Sequence, residues 1–199
     1  MITKRRVPYR EFALLVAFSL ATAGVLAGQR AASIKEQTDD AAGFKEFSGN
    51  VAEYLKLHNT VEKKLPALKS KEELPEMITA HQQALARKIR EARLHAKPGD
   101  IFTPASREAF RHAIRSVFQD PENATKRTTI RQRDRVKPVR LQVNGIYPDA
   151  AAETTFPSTL LEKLPTLPEE LAYRIVGRDL ILVDRRANMV VDLLHEALP

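Results

Sequence analysis

The sequence predicts an α+β fold: an N-terminal bundle of about three helices, then a small antiparallel sheet (a β-hairpin plus one strand) with a final α-helix. Two observations predict it. Before residue 119, apolar residues recur every three or four positions, as in amphipathic helices; after residue 138, they alternate with polar ones, as in strands. The length of 199 residues and the 43% hydrophobic content fit one folded domain or two small ones.

The first 27 residues predict a secretory signal peptide. A basic start is followed by an uncharged, mostly apolar run over residues 12–27, and Val25 and Ala27 are the small residues that a signal peptidase requires. We therefore expect cleavage near Ala27 and a location in the periplasm or outside the cell. An uncleaved helix that anchors the chain to the inner membrane is the alternative. The basic residues are Lys4, Arg5, Arg6 and Arg10.

Residues 28–118 form the predicted helical region, which opens with a flexible lead-in over residues 28–38. The first helix is predicted for residues 40–65, where Pro66 ends it, and the second for residues 75–96. The third begins with Thr103 as the N-cap. The apolar stripe of the first helix comprises Phe44, Phe47, Val51, Leu55, His58, Val61 and Leu65, and this spacing predicts His58 as a core or boundary histidine.

A basic linker is predicted for residues 119–138. In an extended chain, four of its cations share one side, which makes them candidate contacts for an anionic polymer or membrane surface. The alternative is a charged edge segment that resists strand pairing. The four residues are Arg131, Arg133, Arg135 and Lys137.

Residues 139–199 form the predicted small α+β module. Residues 139–143 alternate as a strand, and one or two helical turns follow at residues 158–163. A hairpin is then predicted with its turn at Gly177-Arg178. Its pairs are Val176 with Asp179, Ile175 with Leu180 and Tyr173 with Leu182, which places Tyr173, Ile175, Leu180 and Leu182 on one apolar face. Asp184 is predicted to cap a final helix with the stripe Ala187, Val190, Val191, Leu194 and Leu198.

Residues 167–192 carry the pattern LPxELxYRxVGRDLxLxDxxANxVVD. This pattern resembles the C-terminal stretch of a group of exported bacterial proteins to which no activity is attached. The resemblance covers about residues 165 to 199. It implies an exported bacterial protein and supplies no catalytic residues.

The common catalytic and cofactor signatures are missing from the sequence. The chain has no cysteine, which excludes disulfides, thiolate metal sites and lipid attachment through cysteine. Its seven glycines are isolated, so no phosphate-binding loop can be formed. Each histidine has at most one carboxylate at helical spacing, too few for a metal site. We expect no cofactor and no metal.

One charged cluster exceeds what the hairpin requires. Arg174, Arg178 and Asp179 gather at one end of it, whereas the turn needs only Gly177, so these three residues form the candidate functional cluster. For Asp179, Asp184 and Asp192 the sequence indicates a turn partner, a helix cap and a surface helix charge.

The sequence thus predicts an exported, non-catalytic protein of the cell envelope that contacts anionic envelope components or a protein partner. Two alternatives stay open. One is a hydrolase-like enzyme with a non-standard site built from residues such as Tyr173, Arg174, Asp179 and His195; the other is a module that binds a small molecule. Nucleic acid is not an expected partner, because aromatic residues are few near the basic run.

Overall fold

The computed structural model describes residues 12–67, 75–119, 141–148 and 156–198, with side chains from residue 33 onward. The fold is α+β, as predicted, with a helical part followed by an antiparallel sheet of three strands in the order β1-β2-β3. The helices are α1 (Phe12–Glu62), α2 (Pro75–Ala92), α3 (Pro104–Gln119) and the single turn α4 (Ser158–Leu161). The strands are β1 (Leu171–Val176), β2 (Asp179–Asp184) and β3 (Met189–Leu194).

Helix α1 is longer than predicted, because it includes residues 28–38, which the sequence analysis assigned to a flexible lead-in. Seven of its eleven residues are alanine, glutamine, arginine, lysine or glutamate, which favour helices, and it contains no proline to stop one. The chain divides into two compact units, Met1–Asp39 and Asp40–Pro199. Among the helices described, none offers a stretch of sufficient length and apolarity to cross a bilayer.

An aromatic cluster occupies the centre of the core. Phe47 of α1, Phe110 of α3 and Phe102, which precedes α3, have ring centroids 4.8 to 5.2 Å apart. Tyr173 of β1 lies 5.9 Å from Phe110 and contributes its ring to the same core. The predicted start of α3 is confirmed, since the Oγ1 atom of Thr103 accepts a hydrogen bond from the backbone N–H of Ser106. The helical layer and the sheet therefore share one apolar core.

The predicted hairpin is confirmed in its turn and register. Val176 pairs with Asp179, Ile175 with Leu180 and Tyr173 with Leu182. The apolar face belongs to the main core, and the opposite face contributes Ile181 and Val183 to a second, smaller cluster. Gly177 has a φ of 60°, the left-handed conformation that this tight turn requires.

The predicted final helix is wrong, because residues 189–194 form strand β3. Every residue of β3 is buried, so its side chains show no polar alternation, and a short run of this kind does not distinguish helix from strand. The predicted strand at residues 139–143 is also wrong for its described part, residues 141–143. The segment 141–148 nevertheless lies along β3, where Val190 exchanges backbone hydrogen bonds with Asn144 and Gly145.

Asp192 of β3 is a buried carboxylate rather than the surface helix charge that the sequence indicated. Its Oδ1 atom accepts hydrogen bonds from the backbone N–H groups of Gly99 and Leu193, and its Oδ2 atom accepts those of Ile101 and Phe102. The three bonds from Gly99, Ile101 and Phe102, 2.8 to 2.9 Å long, attach the loop between α2 and α3 to the sheet.

Two glycines of α1 provide a matched test of the helix packing. A Cβ atom at Gly43 would lie 2.7 Å from the carbonyl oxygen of Ala105, whereas one at Gly49 would meet nothing within 4 Å. We expect Gly43→Ala to destabilise the fold by roughly 1–3 kcal/mol, because the backbones of α1 and α3 must separate. Gly49→Ala should stabilise it by about 0.5–1 kcal/mol through helix propensity. Urea unfolding of both variants measures the difference, and equal effects would contradict the close helix contact.

Candidate functional site

The carboxylate of Asp184, at the end of β2, is the centre of a buried polar cluster. Its Oδ2 atom accepts a hydrogen bond of 2.7 Å from the hydroxyl of Tyr54 and lies 2.6 Å from Nδ1 of His58. Its Oδ1 atom accepts hydrogen bonds from the backbone N–H groups of Arg186 and Ala187. The side chains of His58 and Asp184 are both 0% exposed. The cluster therefore joins α1 to the turn between β2 and β3.

Helical spacing positions the members that α1 contributes. Tyr54, His58 and Glu62 follow one another at intervals of four residues, so they lie on one face of the helix. The sequence predicts that Asp184 caps a helix. It caps a turn instead, because the chain bends back at residues 185–188 into β3. This turn includes Asn188, which adopts a positive φ of 46°.

The cluster favours a protonated His58. Burial by itself lowers the pKa of His58, but the hydrogen bond to Asp184 and its negative charge, followed by the charge of Glu62, outweigh burial and raise that pKa. The Nε2 atom of His58 lies 3.4 Å from Oε2 of Glu62, so an imidazolium at this position has a carboxylate on each side.

Tyr54 is a neutral hydrogen-bond donor in this cluster. Burial, followed by the negative charge of Asp184 and the hydrogen bond to it, raises the pKa of Tyr54 well above its usual value. The guanidinium of Arg93 stacks over the Tyr54 ring, with its central carbon 5.0 Å from the ring centroid. The hydroxyl therefore keeps its proton and donates a hydrogen bond to Asp184.

The outer edge of the cluster is open to solvent. The Oε1 atom of Glu62 lies 2.9 Å from Nη1 of Arg186, and the two side chains are 24% and 48% exposed. The hydrogen bond to Glu62 and its charge raise the pKa of Arg186. A cavity of about 400 Å³ lies at this edge, and its lining includes Asn59, Glu62, Lys63, Leu65, His81 and Arg186.

The Asp184–His58 pair has the arrangement in which a carboxylate orients an imidazole for general-base catalysis. The environment of the ring does not fit that role, because His58 is fully buried and its Nε2 atom faces Glu62. A general base must reach the proton of a bound substrate. The geometry therefore fits an ion pair that fastens α1 to the sheet.

The structure places two members of the candidate functional cluster against the end of the described chain. Arg178 donates two hydrogen bonds, of 3.2 and 3.0 Å, to the carbonyl oxygen of Leu198. Asp179 accepts a hydrogen bond from the backbone N–H of Glu196 and lies 2.9 Å from Nδ1 of His195. Arg174 donates to the carbonyl oxygen of Tyr173. Arg178 and Asp179 thus fasten the segment that follows β3.

Other predicted site residues are less informative. Of the residues proposed for an enzyme site, Tyr173 is buried, and its hydroxyl donates to the carbonyl oxygen of Pro165. Burial raises its pKa. The four candidate anion contacts of the basic linker, Arg131, Arg133, Arg135 and Lys137, lie outside the described residues.

Sequence reasoning identified His58 as a core histidine but missed its partners. Asp184 lies 126 positions away in the chain. The available signal was the four-residue spacing of Tyr54, His58 and Glu62, which predicts a shared helix face but not what that face contacts. Within the described ranges, no group of three or more His, Cys, Asp or Glu side chains could hold a metal ion.

Comparison of the chain with protein-family models, curated proteins and solved structures finds no match.

The raised pKa of His58 predicts a pH-dependent stability. The imidazolium stabilises the fold fully below about pH 6.5, the usual histidine pKa, and this contribution is lost as the pH rises through the raised value. We expect His58→Gln to lower the free energy of unfolding by roughly 3 kcal/mol near pH 6 and by less at higher pH. Urea unfolding at several pH values measures this difference. His95→Gln, at an exposed position, should show the same free energy of unfolding as the wild type at each pH. If the difference in free energy between the wild type and His58→Gln did not change with pH, a stabilising His58 imidazolium would be contradicted.

Proposed function

We propose that the chain is an exported, non-catalytic protein of the cell envelope, which acts by contacting an anionic envelope component. The observation that supports a non-catalytic protein is that its buried carboxylates and the guanidinium of Arg178 form contacts within the fold. Asp184 and Asp192 each accept hydrogen bonds that connect elements of the fold, and Arg178 binds a backbone carbonyl. The contacts of these three side chains connect parts of the fold, which supports a structural role for them.

The basic linker supports the proposed contact. If this predicted linker is extended, four of its cations share one side and present a row of positive charge to an acidic lipid surface or an acidic polysaccharide. The formal net charge of +7 falls to +4 when residues 1–27 are removed, because they contain four basic residues and one acidic residue. The mature chain therefore keeps a positive charge, and the linker holds the densest part of it.

Export is tested by the N-terminus of the protein recovered from fractionated cells. Because the basic start and the apolar run have the order of a signal peptide, we expect the envelope or secreted fraction to contain a chain that begins at Gly28. Ala27→Arg should prevent cleavage and leave a longer chain, whereas Gln29→Arg should be processed normally. Intact mass spectrometry distinguishes these products. An intact Met1 on protein from the cytosolic fraction would contradict export.

The anionic contact is tested by binding to vesicles and to a soluble acidic polysaccharide. We expect the mature chain to bind phosphatidylglycerol vesicles or alginate but not phosphatidylcholine vesicles, and less tightly as salt increases. Changing Arg131, Arg133, Arg135 and Lys137 to Gln should weaken binding on the order of a thousandfold, because each cation near an acidic surface contributes about 1 kcal/mol.

The control carries the same change in net charge at exposed lysines of α1 and of the turn that follows it. Lys35, Lys45, Lys56 and Lys64 are replaced by Gln, and binding should fall much less than in the linker variant. The two acidic probes distinguish a lipid surface from a polymer. Binding that does not respond to salt, or that both variants weaken equally, would refute a contact through the linker.

A further inference from the structure

The cavity at the end of α1 is richer in cations than in carboxylates. Lys63 and Arg186 contribute two positive charges to its lining, and His81 contributes an imidazole. Glu62 is the acidic residue among the lining residues, and Asn59 adds an amide that can donate or accept hydrogen bonds. We propose that this cavity binds a small molecule through a carboxylate or phosphate group held by Arg186 and Lys63.

The size and composition of the cavity fit such a ligand. Its volume of about 400 Å³ lies within the range of roughly 300–1,000 Å³ that is usual for small-molecule sites. The guanidinium of Arg186 offers a planar pair of donors for two anionic oxygens, and the ammonium of Lys63 adds a compact charge. Leu65 supplies an apolar wall against which the remainder of the ligand can pack.

Glu62 already shows how a carboxylate sits in this cavity. One of its oxygens lies 2.9 Å from Nη1 of Arg186, and the other lies 3.4 Å from Nε2 of His58. A ligand carboxylate or phosphate would replace Glu62 at Arg186, since both anions need the same donors.

Glu62 keeps a second partner when it leaves Arg186. Its Oε2 atom lies 3.4 Å from the buried Nε2 atom of His58, which is longer than a charged hydrogen bond, although protonation makes Nε2 a donor. A small movement of Glu62 toward His58 would shorten this contact. Ligand binding would therefore replace the ion pair between Glu62 and Arg186 and strengthen the existing ion pair between Glu62 and His58.

Neighbouring residues of the same type provide matched controls. Lys64 follows Lys63 in the chain and Arg185 precedes Arg186, but neither lines the cavity. Arg185 instead donates a hydrogen bond to the carbonyl oxygen of Glu169. Inorganic phosphate and succinate serve as probes in calorimetric titrations of the full chain. Lys63→Gln and Arg186→Gln should each weaken binding about tenfold, the factor that corresponds to one charged hydrogen bond. Lys64→Gln and Arg185→Gln should bind as the wild type does.

Glu62→Gln provides a readout that a general loss of folding cannot imitate. It removes the nearer of two carboxylates that contact Arg186, the other being Glu169 at 3.7 Å, and a negative charge from the cavity, so we expect anion affinity to rise several-fold. Thermal unfolding of each variant is measured alongside binding.

The movement of Glu62 toward His58 should also change the NMR signals of the His58 ring when either probe saturates the cavity. Absence of binding by both probes at millimolar concentration would overturn the proposal. Equal weakening by the cavity variants and the controls, or weaker binding by a folded Glu62→Gln variant, would also overturn it. These outcomes do not depend on export or on the basic linker, so the proposed function is tested separately.

Discussion

The buried carboxylate of Asp184 is the interaction on which the arrangement of helices and sheet depends. It accepts hydrogen bonds from the Tyr54 hydroxyl and from two backbone N–H groups of the following turn, and it forms an ion pair with His58. Removing a charge from water costs several kcal/mol, and the loss of one partner leaves the other charge uncompensated. The position of α1 and the path of the chain from β2 into β3 are therefore coupled through one side chain.

Asp192 has a similar role between the loop before α3 and strand β3. Three backbone N–H groups of that loop donate hydrogen bonds to its carboxylate, and Phe102 of the loop belongs to the aromatic core. Two buried carboxylates thus align the helices on the sheet in a chain that has no cysteine for disulfides. Because these carboxylates hold the fold together, the solvent-open contact between Glu62 and Arg186 is the better place for ligand recognition.

The candidate site was predictable only in part. The pattern of the hairpin identified Arg178 and Asp179 as more than turn residues, and both bind the segment after β3. The sequence also placed His58 in the core. It could not identify Asp184 as the partner of His58, because an aspartate at the end of a strand is equally well explained as a cap. The packing of the sheet against α1 brings its carboxylate to Tyr54 and His58, and the bend at residues 185–188 adds two backbone donors.

The sequence by itself determined the features that depend on near neighbours in the chain. These are the α+β class, the start of α3 at its Thr103 cap, and the register of the hairpin, which the glycine turn and the alternation of side chains specify. Tertiary structure decided the conformation of residues 189–194. Their apolar run suits either a buried helix or a strand. As a strand they pair with the edge of β2, whose backbone groups would otherwise lack these hydrogen bonds. Tertiary structure likewise decided the roles of Asp184 and Asp192. Both carboxylates are buried, and each is stabilised in part by hydrogen-bond donors that lie about 90 or more positions away in the chain.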